Sequence, residues 1–193
     1  VALLFDYSAG KSSVTTNQVL TTTKSLLRAN FTAADSFNLI FSRLNILRAG
    51  SKWFAGDSAG IERAFANVGA TPLTNYSNLP ALLANGIDFV KKNGNDGSLL
   101  LIANSDQVGD YRNANPLIND LLRNMNPKLP VHVADFTNQN QVYYANGGRS
   151  YMGNEYLYEN LTRQTSGSYG RIATAGSFTT LLTQALQKLS GYV

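Results

Sequence analysis

The chain has 193 residues, of which 44% are hydrophobic and 15% are charged, and these values suit one globular domain with a sizeable core. It has no cysteine, which excludes disulfides, thiol catalysis and zinc–thiolate sites, and its one histidine excludes a multi-histidine metal centre. The net charge of +4 comes from scattered residues without a basic, aromatic-rich run, so we expect no nucleic-acid binding. No apolar run approaches the roughly 20 residues that span a bilayer, so we expect no membrane insertion.

The chain opens on a continuous apolar run, Val1 to Phe5, which predicts a buried strand of a parallel sheet. Because it begins inside this strand, with no polar lead-in or signal peptide, we expect residues 1–193 to be a single domain of a longer protein. A polar loop follows the strand. A helical pattern then covers 14–31, with Ser12 or Ser13 as the predicted N-cap.

Strand and helix patterns alternate along the rest of the chain. Apolar runs predict strands at 37–41, 44–48, 99–103, 131–136 and 169–172. Helical spacing of apolar residues predicts helices at 58–68, 79–90, 116–125, 155–163 and 178–189. This order predicts an α/β fold with a doubly wound, mostly parallel central sheet, helices on both faces and one antiparallel edge strand.

Two aromatic residues and one stretch of chain have specific interpretations. Trp53, in a loop between two glycines, is predicted to pack against the core. His132 lies in the middle of a strand pattern and is predicted to be structural, so no nucleophile–histidine–acid set can be assembled and we expect no enzymatic activity. The polar stretch 137–154 predicts a small hairpin that turns at Asn146-Gly147.

The loop after the first strand has two competing interpretations. Gly10-Lys11-Ser12 matches the end of the phosphate-binding pattern G-x-x-x-x-G-K-[ST], which would indicate a nucleotide-using enzyme. The first glycine of that pattern falls on Phe5 inside the strand, so the loop lacks the turn that would surround a phosphate. The other interpretation is a divalent-cation site built from Asp6 and the hydroxyls that follow it.

Several separated segments support the cation interpretation. Asp6-Tyr7-Ser8-Ala9-Gly10 corresponds to the pattern D-x-S-x-S, and Phe37-Asn38-Leu39-Ile40-Phe41-Ser42 corresponds to F-N-x-x-x-F, with Ser42 at its last position. Gly69-Ala70-Thr71-Pro72, or Thr74-Asn75, corresponds to G-G-T-[NP], while Asn104-Ser105 follows an apolar strand where the pattern has T-D-G. The segment Leu161–Tyr169 matches L-A-x-x-[ST]-G-G-x-Y. Together these segments resemble the von Willebrand factor type A domain, most closely the group found in inter-alpha-trypsin inhibitor heavy chains and their bacterial relatives.

The resemblance implies a metal-ion-dependent adhesion site for Mg2+ or another divalent cation. The implied ligands are Asp6, Ser8, Ser12, Thr74, with Thr71 as the alternative to Thr74, Asn104 and Asp106. Gly10 stands where the pattern has its second serine, and Asn104 where it has its second aspartate. Lys11 adds a positive charge beside the cation. The site is therefore either a weak cation site or a degenerate remnant whose oxygens only cap the helix.

The resemblance implies a non-enzymatic adhesion or interaction module rather than an enzyme. Its partner would be a protein, with other domains of the parent chain as further neighbours, and its location extracellular, cell-surface or periplasmic. The predicted partner-binding residues lie in the loops at the carboxyl ends of the strands: Tyr7, Lys11, Asn75, Tyr76, Tyr143, Tyr144, Arg149 and Tyr151. Tyrosines on polar loops are typical of contact surfaces. A purely structural domain of a surface protein is the remaining alternative.

Overall fold

The computed structural model describes residues 1–7, 14–42, 45–69, 78–94, 96–104, 111–136, 143–145, 148–150, 154–172 and 175–190. Its strands are β1 (Ala2–Asp6), β2 (Ser36–Phe41), β3 (Leu47–Arg48), β4 (Phe54–Ala55), β5 (Leu99–Ala103), β6 (Val131–Asp135), β7 (Tyr143–Ala145), β8 (Gly148–Ser150) and β9 (Tyr169–Arg171). Its helices are α1 (Thr16–Asn30), α2 (Ser58–Val68), α3 (Leu79–Lys92), α4 (Tyr111–Arg123), α5 (Asn154–Thr165) and α6 (Ala175–Ser190).

The main sheet has the strand order β3-β2-β1-β5-β6-β9, and β4 also pairs with β2. Strands β1, β2, β5, β6 and β9 are parallel, whereas β3 and β4 pair antiparallel with the two ends of β2 and form the antiparallel edge. Helices α1, α2 and α6 cover one face, and α3, α4 and α5 cover the other. The predicted doubly wound, mostly parallel fold is confirmed.

The central strands are buried on both faces because both odd and even positions are apolar. In β1, Leu3 and Phe5 face the α1 side of the sheet, and Leu4 faces the α3 side. The ring of Phe5 stacks on Phe41 of β2 with centroids 4.6 Å apart. Burial of each such side chain stabilises the folded state by about 1.5–3 kcal/mol. Among the described residues, no helix is both long enough and apolar enough to cross a membrane.

The predicted packing of Trp53 is confirmed. Its ring lies edge-on to Phe89 of α3 with centroids 4.6 Å apart, and its Nε1 donates to the Asn93 carbonyl oxygen at 2.8 Å. Both interactions tie the loop before β4 to the end of α3. The indole therefore stabilises the packing of α3 on the edge of the sheet.

Helix α1 begins later than the sequence predicted, with Thr15 as its N-cap instead of Ser12 or Ser13. The Thr15 hydroxyl accepts from the N–H of Gln18 at 3.2 Å, and the Gln18 side chain accepts from the N–H of Thr15 at 2.8 Å. This reciprocal capping box needs Glu or Gln three residues after the cap. Only Thr15 has one, because Thr15 and Thr16 occupy that position for Ser12 and Ser13.

Helix α4 also differs from the prediction, because it begins at Tyr111 and runs through Pro116 instead of starting there. Proline lacks an N–H, so it removes one hydrogen bond inside the helix. Pro116 lies on the exposed side of α4, where water can satisfy the carbonyl that it leaves without a donor. Sequence reasoning placed the proline in the first turn because that is the position it normally tolerates.

The turn between α5 and β9 contains a strained residue. Ser166 has a φ of 58°, in the left-handed region that a side chain disfavours. We predict that Ser166→Gly raises the free energy of unfolding by about 0.5–1 kcal/mol, because glycine relieves this strain. Urea unfolding measures the change. The matched control is Ser58→Gly, at the exposed first position of α2, which should lower stability by about 0.5 kcal/mol. A loss of stability at position 166 would contradict the strain argument.

Candidate functional site

Polar side chains terminate three neighbouring strands at the carboxyl edge of the sheet. Asp6 ends β1, Asn104 follows β5 and Asp135 ends β6, and each is only 1–2% exposed. The sheet register aligns Asp6 with Ala103 and Ala103 with Asp135. Residues paired across a sheet share a face, so the two carboxylates lie on the α3–α5 side with one methyl group between them. Two strand spacings separate their Cα atoms by about 10 Å.

Two tyrosines lie on the same face of the sheet as this pair of carboxylates. The Tyr169 hydroxyl donates to Oδ2 of Asp135 at 2.7 Å. Tyr158 of α5 is fully buried, and its hydroxyl has no hydrogen-bond partner within the described part of the chain. Burial raises the pKa of Tyr158 well above its usual range, and the negative charges of Asp6 and Asp135 raise it further. The phenol is therefore a neutral hydroxyl, buried on the same face of the sheet as both carboxylates.

The predicted contact residue Tyr7 packs in the core. It is 2% exposed, its ring lies edge-on to Phe136 with centroids 5.4 Å apart, and its hydroxyl donates to the Val14 carbonyl oxygen at 2.5 Å. Residues 7 and 14 flank loop 8–13, so this hydrogen bond holds the two ends of the loop together. Burial leaves Tyr7 without a surface for a partner, and its role is to anchor the loop.

Helix α3 begins at the same edge of the sheet. The N–H of Asn78, its N-cap, donates to the Ser42 hydroxyl at 3.2 Å, and Ser42 directly follows β2. The Asn78 side chain in turn accepts from the N–H of Ala81 at 3.2 Å. The loop that precedes α3, with Thr71 and Thr74, therefore leads into a helix whose start is fixed against the end of β2.

Several predicted site residues lie outside the described part of the chain. They are the cation ligands Ser8, Ser12, Thr71, Thr74 and Asp106, the contact residues Lys11, Asn75, Tyr76 and Tyr151, and the phosphate-loop residues 10–12. The hairpin around 146–147 is confirmed, because β7 and β8 pair antiparallel with Tyr143 opposite Ser150 and Tyr144 opposite Arg149. The hairpin lies between the end of β6 and the start of α5 along the chain.

The chemistry of the edge fits a hard divalent cation. Mg2+ and Ca2+ bind oxygen ligands, and here two buried carboxylates, about 10 Å apart at their Cα atoms, and a buried phenol lie on one face of the sheet. No cluster of three His, Asp or Glu side chains occurs among the residues that the structure describes, so further ligands would have to come from the loops. Sequence reasoning missed Asp135 and Tyr158. The one available signal was that Asp135 ends an apolar strand, as Asp6 does.

His132 lies away from the polar edge, as the second residue of β6. Its ring is fully buried, and Nδ1 accepts from the Ser168 N–H at 3.1 Å and lies 2.7 Å from the Ser168 hydroxyl oxygen. A backbone N–H can only donate, so Nδ1 carries no proton. These contacts agree with the predicted structural role, because they tie β6 to the turn before β9.

A groove of about 560 Å³ lies between α3 and α4. Its lining is mostly apolar, and Leu117 beside it is 56% exposed. The carboxylate of Asp88 in this groove bonds to Arg48 and Lys92 at 3.1 Å each, and the hydrogen bond from Lys92 is the main cause of its lowered pKa. The Asp88 carboxylate in this groove is thus paired within the protein.

Solved structures share the fold described above. BatB from Bacteroides thetaiotaomicron, a conserved hypothetical protein, superposes with a TM-score of 0.67 at 11% identity over 98% of both chains. A von Willebrand factor type A protein from Catenulispora acidiphila superposes with a TM-score of 0.65 at 11% identity over 92% of this chain and 39% of that one. This chain has the von Willebrand factor A fold. The inter-alpha-trypsin-inhibitor-like subgroup stays a prediction.

The PilB minor pilin from Streptococcus sanguinis is also similar, with a TM-score of 0.67 at 12% identity over 97% of this chain and 61% of that chain. At such identities the likeness establishes the fold alone. No family model matches the chain, and no curated protein matches it in sequence. The arrangement of its own residues must therefore carry any inference about the function of this von Willebrand A-type chain.

Proposed function

We propose that the protein is a non-enzymatic interaction module of von Willebrand A type, which binds a partner protein at the carboxyl edge of its sheet. The observation that carries this proposal is the row of polar residues that ends three otherwise apolar strands: Asp6, Asn104 and Asp135. In open α/β sheets, ligands bind outside the carboxyl ends of the strands. The chain leaves β1 and β6 and enters α3 at this edge, so we assign the proposed surface to the loops that join there.

A divalent cation such as Mg2+ belongs to this proposal. Asp6 would bind it together with Ser8, Ser12 and Thr74, or Thr71 in place of Thr74, and with Asp106 close by. Asn104 offers only a neutral amide where the resemblance has an aspartate, and Lys11 adds a positive charge. Fewer negative ligands mean weaker binding of a strongly hydrated ion, so the proposed site is a weak one.

The proposed contact surface combines charged and aromatic residues from the loops. Tyr143, Tyr144 and Arg149 lie on the β7–β8 hairpin, and Lys11, Asn75, Tyr76 and Tyr151 lie in neighbouring loops. Tyrosine supplies a large contact area at a small loss of side-chain entropy. Similarity to a minor pilin supports a location at the cell surface or in the periplasm, where a partner would be another exported protein.

A photo-crosslinking amino acid at Tyr144 tests this surface. In intact source cells it should give a covalent adduct of defined mass, because Tyr144 lies on the proposed edge. The control position is Lys128, which is exposed in the segment before β6 and so lies at the opposite, amino edge. Equal adducts at both positions would contradict the assigned edge. Calorimetric binding of ATP to the isolated chain would instead favour the phosphate-loop alternative.

A further inference from the structure

We propose that Asp135 supplies the second negative charge of the divalent-cation site, and that the Tyr158 hydroxyl interacts with a water molecule bound to that cation. The inference rests on the proposed function, which places a cation beside Asp6. It adds a charge and a hydroxyl that the sequence resemblance does not contain. It also explains how a site with Asn104 in place of an aspartate could still bind a cation.

The charge argument follows from the sheet register. Asp6, Ala103 and Asp135 form one row across β1, β5 and β6, on the same face. Strand β5 contributes only a methyl group in this row and the neutral amide of Asn104 just beyond it. The negative charge that β5 lacks is present on β6 instead. Because both carboxylates are buried, water screens their attraction for a cation less than it would at an exposed site.

The orientation of Asp135 suits this role. Tyr169 donates to Oδ2 of Asp135 at 2.7 Å, which restricts the orientation of the carboxylate. A carboxylate has about four acceptor positions on its two oxygens, so one that accepts a hydrogen bond can also bind a cation or its water. The tyrosine thus acts as an outer partner of the kind that orients the ligands of metal sites.

Tyr158 is the independent indication of a ligand. A buried hydroxyl is normally hydrogen-bonded, yet this one lacks a partner among the described residues although it is buried on the face of the sheet that carries both carboxylates. Mg2+ keeps several of its waters when it binds to proteins. A water bound to the cation can donate to the Tyr158 oxygen, which satisfies the hydroxyl that the protein leaves unsatisfied.

Calorimetric titration of the chain with Mn2+ tests the proposal. We expect Asp135→Asn to weaken binding at least tenfold, because the amide keeps an acceptor for Tyr169 but removes the charge. Asn104→Asp in the Asp135→Asn background should restore the affinity to within about threefold, since it puts a charge at the end of β5, between the other two strands. The control is Asp120→Asn, which removes an exposed carboxylate of α4 beside Arg123 and should change nothing.

Two other outcomes decide against the inference. Unchanged affinity in Asp135→Asn, with loss in Asp6→Asn, overturns it and leaves the proposed site at Asp6 intact. Absence of Mn2+ binding to the unmodified chain overturns it as well, while crosslinking at Tyr144 still judges the partner proposal. If circular dichroism shows Asp135→Asn to be unfolded, Tyr158→Phe decides. That variant removes one hydroxyl and should weaken binding about threefold, and unchanged binding overturns the inference.

Discussion

Replacement of Gly167 by Ala is expected to lower the free energy of unfolding by roughly 3 kcal/mol or more. A Cβ atom at Gly167 would lie 1.8 Å from the carbonyl oxygen of Val131 and 2.4 Å from its carbonyl carbon. Both are backbone atoms of β6, and Val131 is paired with Leu99 of β5 in the middle of the sheet. Neither strand can move aside without disrupting the sheet, so the strain cannot relax locally.

Urea unfolding of Gly167→Ala measures this effect, with Gly97→Ala as the control. A Cβ atom at Gly97 would meet Val90 at an ordinary distance of 3.4 Å. That variant should therefore stay within about 0.5 kcal/mol of the unmodified chain. Equal stabilities of the two variants would show that the turn before β9 adapts, and would contradict the close approach to Val131.

The same turn positions part of the candidate site. The carbonyl oxygen of Ser168 accepts from the Val133 N–H at 2.9 Å, and Thr165 accepts from the Val131 N–H at 3.0 Å. These bonds fix the register of β9 against β6 and so bring the Tyr169 hydroxyl to Asp135. A glycine that allows two backbones to touch is therefore linked to the orientation of a carboxylate at the other end of the strand.

The architecture was predictable from the sequence because its signals are local. The run Leu99–Ala103 is apolar at every position and only five residues long, which favours a strand buried on both faces. Asn146-Gly147 between two short β patterns indicates a two-residue hairpin turn, and the pairing of Ala145 with Gly148 agrees. The start of α4 was not predictable in this way, since a proline inside a helix gives the same local signal as a proline at its beginning.

The candidate site was only partly predictable because its geometry is not local. Asp6 was identified from its own loop, whereas Asp135 acquires a role only through the alignment of three strands from distant parts of the chain. In the sequence, Tyr158 occupies an ordinary apolar position of α5. Only the packing of this helix buries its hydroxyl on the face of the sheet that carries the two carboxylates. Tyr7 shows the opposite error, because a polar loop pattern gave no sign that its ring would be buried against Phe136.

A divalent cation is expected to raise the thermal unfolding midpoint of the chain by about 5–10 °C at a free concentration one hundred times its Kd. A ligand that binds only the folded state stabilises it by mass action. Here the physical source of the gain is the charge of Asp6 and Asp135, two buried carboxylates on one face of the sheet whose repulsion a cation would offset.

Thermal unfolding with and without MgCl2, at an ionic strength kept constant with NaCl, measures this shift. Asp6→Asn should abolish it, because the variant removes one of the two charges while keeping a side chain of the same size. Asp120→Asn should retain the full shift, since that carboxylate is exposed on α4 next to Arg123. A shift of equal size in Asp6→Asn would place the cation elsewhere on the protein and contradict the site. If Asp6→Asn and Asp135→Asn both fold and both lose the shift, neither carboxylate alone binds the cation tightly enough to stabilise the fold.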